Sequence, residues 1–216
     1  MEDVESHGSL CMASIILIGG GGHCESCIDV IEQQGRYSIA GIVDRPDKIG
    51  NKVAGYEIIA DDTKIVELAD EYKYFLITFG QINSPVKRIE LFKFLQKLKT
   101  QMPVIISPLA YVSKHTRIGQ GTIIHHHAFV NAGAKVGNNC IINTKALVEH
   151  NAVVDDNVHI STGAIINGGA KVGEGTFVGS GTIVRESIKI GEKCIIGSGI
   201  RVMHSVKAGE ILNASH

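Results

Sequence analysis

From residue 112 the sequence repeats with a period of six. Val112, Ile118, Ile124, Val130, Val136, Ile142, Val148, Val154, Ile160, Ile166, Val172, Val178, Val184, Ile190, Ile196 and Val202 are all Val or Ile. The residue two positions before each is Ala, Ser, Thr or Cys, except at Val158, Ile188 and Ile200. Gly often follows the aliphatic residue, as in Val136-Gly137 and Val178-Gly179. Six is neither the 3.6 of a helix nor the 2 of a strand, so the pattern marks a solenoid. Each hexad is then a short strand ending in a turn. Three hexads close a triangular coil, with the β-branched residue inside and small residues at the tight corners. Coils stack at about 4.8 Å and bury a continuous aliphatic column. No loop interrupts the hexads, so the prism is expected to be unbroken, with about five coils over residues 112–202.

The first half has a different rhythm. "SIILIG" (14–19), "YSIAGIVD" (37–44), "YFLITFG" (74–80) and "PVIIS" (103–107) read as strands. "HCESCIDVIEQQG" (23–35), "TKIVELADEY" (63–72) and "SPVKRIELFKFLQKLKT" (84–100) carry helical spacing, the last with Pro85 in its first turn. Strand–helix alternation predicts a parallel sheet with helices on its faces. The expected organisation is an extension over 1–13, an α/β Rossmann-like domain over 14–107 and the solenoid over 108–216.

Composition excludes several roles. The net charge of −1, the 5% aromatic content and the absence of Trp give no footprint for nucleic acid. No apolar run reaches the roughly 18 residues of a membrane span. "MEDVESHGSLCMAS" lacks the basic segment and apolar core of a signal peptide. Five scattered cysteines fit a reducing compartment better than a disulfide framework, so a cytoplasmic location is expected.

"GGGGH" (19–23) stands between a strand and a helix, where backbone N–H groups can cradle an anion, although tight strand–helix packing alone would also call for glycine. Asp44 ends the next strand. Cys24-x-x-Cys27 lies on a helix and is expected to pack against the sheet. "HHH" (125–127) invites a metal reading, but His150 and His159 stand nine residues apart, which does not match a three-histidine interface site. No metal is expected. Ile123, Phe129, Ile141, Leu147, Ile165, Phe177 and Ile183 precede inward residues and are expected to face outward. Such an apolar exterior needs a cover, and three-fold packing of prisms would supply one.

The Gly-rich "ILIGGGGHCESCIDVI" ahead of the hexads and "VEHNAVVDDNVHIS" within them resemble the bacterial hexapeptide-repeat sugar O- and N-acetyltransferases of the sialic-acid and bacillosamine pathways, the NeuD/PglD-like family. The resemblance spans residues 14–204. It implies a left-handed parallel β-helix, a homotrimer, and acetyl-CoA as co-substrate held between prisms. It implies that Gly21, Gly22, His23, Asp44, Arg45 and Gly80 line a nucleotide-sugar site, with Cys24 replacing the usual Gly or Ala. His150 matches the general base, and Asn151 stands where many relatives carry an acid. His159 is expected near the thioester, the Gly168 N–H at the oxyanion, and Ser180 and Ser198 along the pantetheine arm. The C-terminal "VMHSVKAGEILNASH" lacks the Gly-x-Pro-Ala segment of many relatives. The implied activity is N-acetylation of the 4-amino group of a UDP-linked 4-amino-4,6-dideoxy sugar. O-acetylation of a sialic-acid-type sugar, which Asn151 disfavours, and a non-catalytic scaffold are the alternatives.

Overall fold

A computed structural model describes residues 12–213. Residues 1–11 of the expected extension lie outside the described residues, and Ala13 already opens the first strand.

The N-terminal domain contains β1 (Ala13–Ile18), α1 (Gly22–Gln34), β2 (Tyr37–Val43), β3 (Lys52–Val53), β4 (Tyr56–Ala60), α2 (Ile65–Glu71), β5 (Tyr74–Ile77) and α3 (Val86–Lys97). Its sheet runs β3-β4-β2-β1-β5. All neighbours are parallel except β3 and β4. The all-parallel expectation is corrected by this hairpin, whose tip, Ala54-Gly55, has positive φ at both residues. β1 is apolar on both faces because both are covered. Ile15 and Leu17 pack with α1, whereas Ile16 and Ile18 join the core that includes Ile65 of α2 and Phe92 and Leu95 of α3.

The hexads form a three-sided parallel β-helix. Strand partners lie 18 residues apart, as in Phe129↔Leu147, Lys135↔Val153 and Ile141↔His159. The first face holds the strands starting at Tyr111, Phe129, Leu147, Ile165, Ile183 and Arg201; the second, those at Arg117, Lys135, Val153, Lys171 and Lys189. The third face begins at β6 (Ile105–Ile106) and continues through Ile123, Ile141, His159, Phe177, Ile195 and Ile211. "PVIIS" is therefore not the last strand of the N-terminal sheet. β6 pairs with Ile123–Ile124, and the sheet ends at a bridge between Tyr74 and Gln101.

Every inward residue from Ile124 to Val202 is buried, and the small residues two before them share the same column. The turns repeat as regularly. From Gly121 to Gly199 every sixth residue is left-handed, and at residue 151 the occupant is Asn, which tolerates that conformation. Gly after the aliphatic residue has a second cause. A Cβ on Gly137 would lie 2.6 Å from the Asp156 nitrogen of the next coil.

The outward residues divide into two sets. Ile105, Ile123 and Ile141 on the third face are buried against Cys24, Cys27, Ile28 and Ile31 of α1. The cover expected from neighbouring prisms is thus supplied there by the chain's own N-terminal domain. Tyr111, Phe129, Leu147, Ile165 and Ile183 on the first face remain at the surface, with Tyr111 53% and Phe129 38% exposed.

Candidate active site

The N-terminal domain opens a cavity of about 520 Å³ at the carboxyl ends of β1 and β2, where a doubly covered parallel sheet places its ligands. Of the residues named for a nucleotide-sugar site, Gly21, Asp44 and Arg45 line it. Gly22, His23 and Gly80 do not. Gly22 starts α1, His23 turns its ring to the other side of the helix, and Gly80 sits beside His159. The remaining walls are Phe79, Leu91 and Phe94, with Lys48 and Lys87 as cations and Asp62 and Glu90 as carboxylates. Asp44 already accepts hydrogen bonds from Gly20 N (2.7 Å), Arg45 N (2.7 Å) and Lys48 Nζ (2.9 Å). Burial alone would raise its pKa, but these donors outweigh burial and hold it below the usual value. Its carboxylate braces the glycine loop.

Between α1 and the third face lies a seam of histidines. His159 is buried, donates Nδ1–H to the Gln81 carbonyl at 2.7 Å, and meets Phe177 edge-on. Burial lowers its pKa to about 4. His125 is fully buried, with Nδ1 3.2 Å from Ser26 Oγ, and burial lowers it to about 4 as well. The His23 ring centre stands 5.1 Å from that of His125, and burial takes its pKa to about 2. The three residues of "HHH" have separate surroundings. His126 bonds Ser107 and Asp29, and His127 occupies a left-handed turn.

The seam is bolted by Arg88. Its guanidinium is buried and donates to the carbonyls of Ile77 (3.3 Å) and Phe79 (2.6 Å), and to Asn139 O (3.2 Å) and Oδ1 (2.7 Å). Burial lowers its pKa to about 10. Gln81 completes the join, donating to Asn157 O and Gly175 O.

His150 lies elsewhere, exposed at the turn between the first and second faces. Its ring rests on Gly168 one coil above, where a Cβ would come within 2.7 Å of Nε2. Asn151 holds its side-chain amide 3.3 Å from His150 Nδ1. Glu149 does not reach the ring. It accepts from His150 N and Asn131 Nδ2, and these bonds lower its pKa. The backbone at this corner has an informative irregularity. Ala132 N and His150 N are each taken by the side chain before them. Asn167 instead turns its amide to Val184 O, so the Gly168 N–H has no acceptor among the described residues. An imidazole and an open N–H donor therefore face solvent together, as a base and an oxyanion donor would.

Ser180 and Ser198 are exposed one coil apart on the opposite edge of the first face, at the turn from the third face. The structure thus joins His150, Asn151 and Gly168 at one corner, places the two serines at the next, and buries His159 on the third face beneath the N-terminal domain. Among the described residues no helix is long and apolar enough to cross a membrane.

Residues 14–92 match the family model of the PglD N-terminal domain. The whole fold is similar to perosamine N-acetyltransferase from Caulobacter crescentus, solved as a histidine variant with CoA and GDP-perosamine, at 27% identity, a TM-score of 0.87 and 94% coverage of each chain. It is also similar to the acetyltransferase domain of PglB from Neisseria gonorrhoeae, at 28% identity, a TM-score of 0.83 and coverage of 92% of this chain and 95% of that one. The likeness is thus to the PglD N-terminal domain over residues 14–92 and, over the whole fold, to sugar acetyltransferase structures at 27–28% identity. WeeI from Acinetobacter baumannii AYE, 21% identical with a TM-score of 0.80 over 93% of this chain and 96% of that one, shares the fold. Comparison with curated proteins gives no match. The sequence alone did not reveal the cavity walls Phe79, Phe94, Lys48 and Lys87 or the buried Arg88. The apolar face of α3 was visible, but nothing local in the sequence showed that this helix closes a cavity or that its Arg88 turns inward.

Proposed function

We propose that this sugar acetyltransferase moves an acetyl group from acetyl-CoA to the 4-amino group of a nucleoside-diphosphate-linked 4-amino-4,6-dideoxy sugar. The observation that carries the reading is the pairing of the His150 ring with the unspent Gly168 N–H at one exposed corner. The amine attacks the thioester carbonyl as Nε2 of His150 takes its proton, and the Gly168 N–H receives the developing oxyanion. The tetrahedral intermediate then expels the CoA thiolate. Nε2 can accept only if Nδ1 carries the ring proton. Asn151 supports that tautomer when its amide presents Oδ1 to Nδ1–H. Sugar acetyltransferases with CoA, acetyl-CoA and an amino-sugar nucleotide bound are among the similar structures.

The nucleotide is expected to be UDP on the sequence resemblance. A second reading, GDP, is favoured by Asp62 and Glu90 in the cavity wall. A carboxylate can accept from N1–H and N2–H of guanine together, whereas uracil offers a single N–H. Chains are proposed to pack as a trimer over the apolar first face, which brings the His150 corner of one chain against the Ser180 edge of the next. Mass spectrometry of UDP-, GDP- and dTDP-linked 4-amino sugars, and of free sialic acid, incubated with acetyl-CoA tests the reading. A 42-Da gain on one amino-sugar nucleotide is expected, 42 Da being roughly an acetyl group replacing a proton. Acetylation of sialic acid alone would overturn it.

A further inference from the structure

The histidine seam carries chemistry that acetyl transfer does not use. His23 and Cys27 stand four residues apart on α1, hence on one face of the helix. That face meets His125, which follows the third-face strand Ile123–Ile124. One ligand atom from each of the three side chains lies within 4.8 Å of the others. Independent of that spacing, Nε2 of His125 is wholly enclosed and has no hydrogen-bond partner among the described residues, and Nε2 of His23 is in the same condition. Among the described residues no carboxylate joins this cluster. Asp29, two residues beyond Cys27, is engaged by His126. His159 borders the cluster, its ring centre 6.3 Å from that of His23, and its Nε2 also lacks a partner. Because its Nδ1 donates to a carbonyl, that Nε2 is a bare lone pair.

We propose that His23, Cys27 and His125 form a binding site for a borderline-soft divalent transition metal, with zinc the ion whose ligand preferences it fits. Two imidazoles and one thiolate are a donor set that zinc takes readily, at about 2.0–2.1 Å to nitrogen and 2.3 Å to sulfur. Those bond lengths place tetrahedral ligands roughly 3.3–3.6 Å apart. Side-chain torsions of His23 and Cys27 supply the small closure needed from 4.8 Å. His159 or water completes the shell. On binding, the Cys27 thiol gives up its proton to solvent and its sulfur forms the metal bond, so uptake releases one proton per ion. Arg88 is a neighbouring buried cation, and the thiolate charge offsets that repulsion. The partly exposed His23, at the solvent end of the cluster, is the entry side. The metal would tie the helix that follows the glycine loop to the β-helix face on which it rests. This role is independent of the substrate assignment, because neither the cavity nor the His150 corner contributes a ligand.

Cobalt titration of the intact, metal-free chain is the first test. One equivalent of Co²⁺ should give intense visible d–d bands and a thiolate-to-cobalt charge-transfer band, and zinc should bleach both. Elemental analysis after zinc exposure and desalting should give one zinc per chain, and zinc should raise the melting temperature. C27S should lose the charge-transfer band, and H125Q should lose the stoichiometric zinc. C140S, whose cysteine lies within the β-helix, should keep both. The unmodified protein is assayed directly, so the outcome does not depend on the variants folding. No cobalt spectrum and no retained zinc in the wild-type chain would overturn the proposal. Retained zinc that C27S and H125Q leave unchanged would overturn it equally.

Discussion

At the scale of single residues, the corner occupied by His150 separates a base from its surroundings cleanly. Its ring touches Gly168 and the Asn151 amide, and no carboxylate reaches it. Replacing His150 with Ala should lower kcat by about 10²–10⁴-fold, the usual worth of a positioned general base, while the Kd for CoA stays within a factor of about two. Steady-state kinetics with calorimetric CoA titration check both halves, and unchanged kcat would remove His150 from the mechanism. Gly168→Ala is a sharper probe, because its Cβ would fall 2.7 Å from the imidazole. The ring must swing away while the N–H stays in place. Turnover should drop by on the order of 10²-fold with folding intact, as a displacement of about 1 Å can cost that much. His150 and Gly168 were named through the family resemblance, and their separation of 18 residues is what stacks them in the structure. The surroundings of His159 were not legible. It is an outward residue of the third face, and only tertiary structure shows that α1 and the loop at Gln81 cover that face.

At the scale of elements, the period of six fixed almost everything about the β-helix, since each coil repeats one backbone conformation and one inward contact. Gly137→Ala should therefore be costly even though alanine is small. Its methyl would meet the backbone of the coil above, 2.6 Å from a nitrogen that cannot retreat without shifting the stack. A loss of about 1–3 kcal/mol by urea unfolding is expected, as for other overpacked sites. The N-terminal domain was less legible. The hairpin of β3 and β4 carries no Asn-Gly at its tip, and β6 is as apolar as any sheet strand although it pairs with the β-helix. The bond between the domains was invisible, because a basic residue on an amphipathic helix ordinarily reads as solvent-facing. Arg88 is instead buried and reaches three separate carbonyls and an amide oxygen. Arg88→Lys should not rescue it, since one ammonium cannot span that fork. Breaking the set should cost roughly 3–5 kcal/mol and lower the Tm by on the order of 10 °C in scanning calorimetry. A lysine variant that melts with the wild type would show the bolt to be dispensable.

At the scale of the whole molecule, the decisive asymmetry lies among the three faces of the prism. The third is covered by the chain's own helix α1 over Ile105, Ile123 and Ile141, and the second presents Arg117, Lys135, Lys171 and Lys189. The first alone leaves a ladder of Tyr111, Phe129, Leu147, Ile165 and Ile183 at the surface, flanked by the His150 corner on one side and the serine edge on the other. A cyclic assembly over that face joins unlike edges, so each seam takes its base from one chain and its serine edge from the next. Ile165→Glu should then yield monomers by sedimentation and abolish turnover, though His150 and Gly168 are untouched. Complementation separates a shared seam from mere loss of assembly. His150→Ala and Ser180→Arg should each be inactive alone. Co-refolded in equal amounts, they form random trimers in which a seam is intact only when an intact imidazole corner meets an intact serine edge, roughly one seam in four. About a quarter of wild-type activity should return. If each site lay within a single chain, no mixture of the two variants could contain an intact site, and activity would stay at the level of the separate variants.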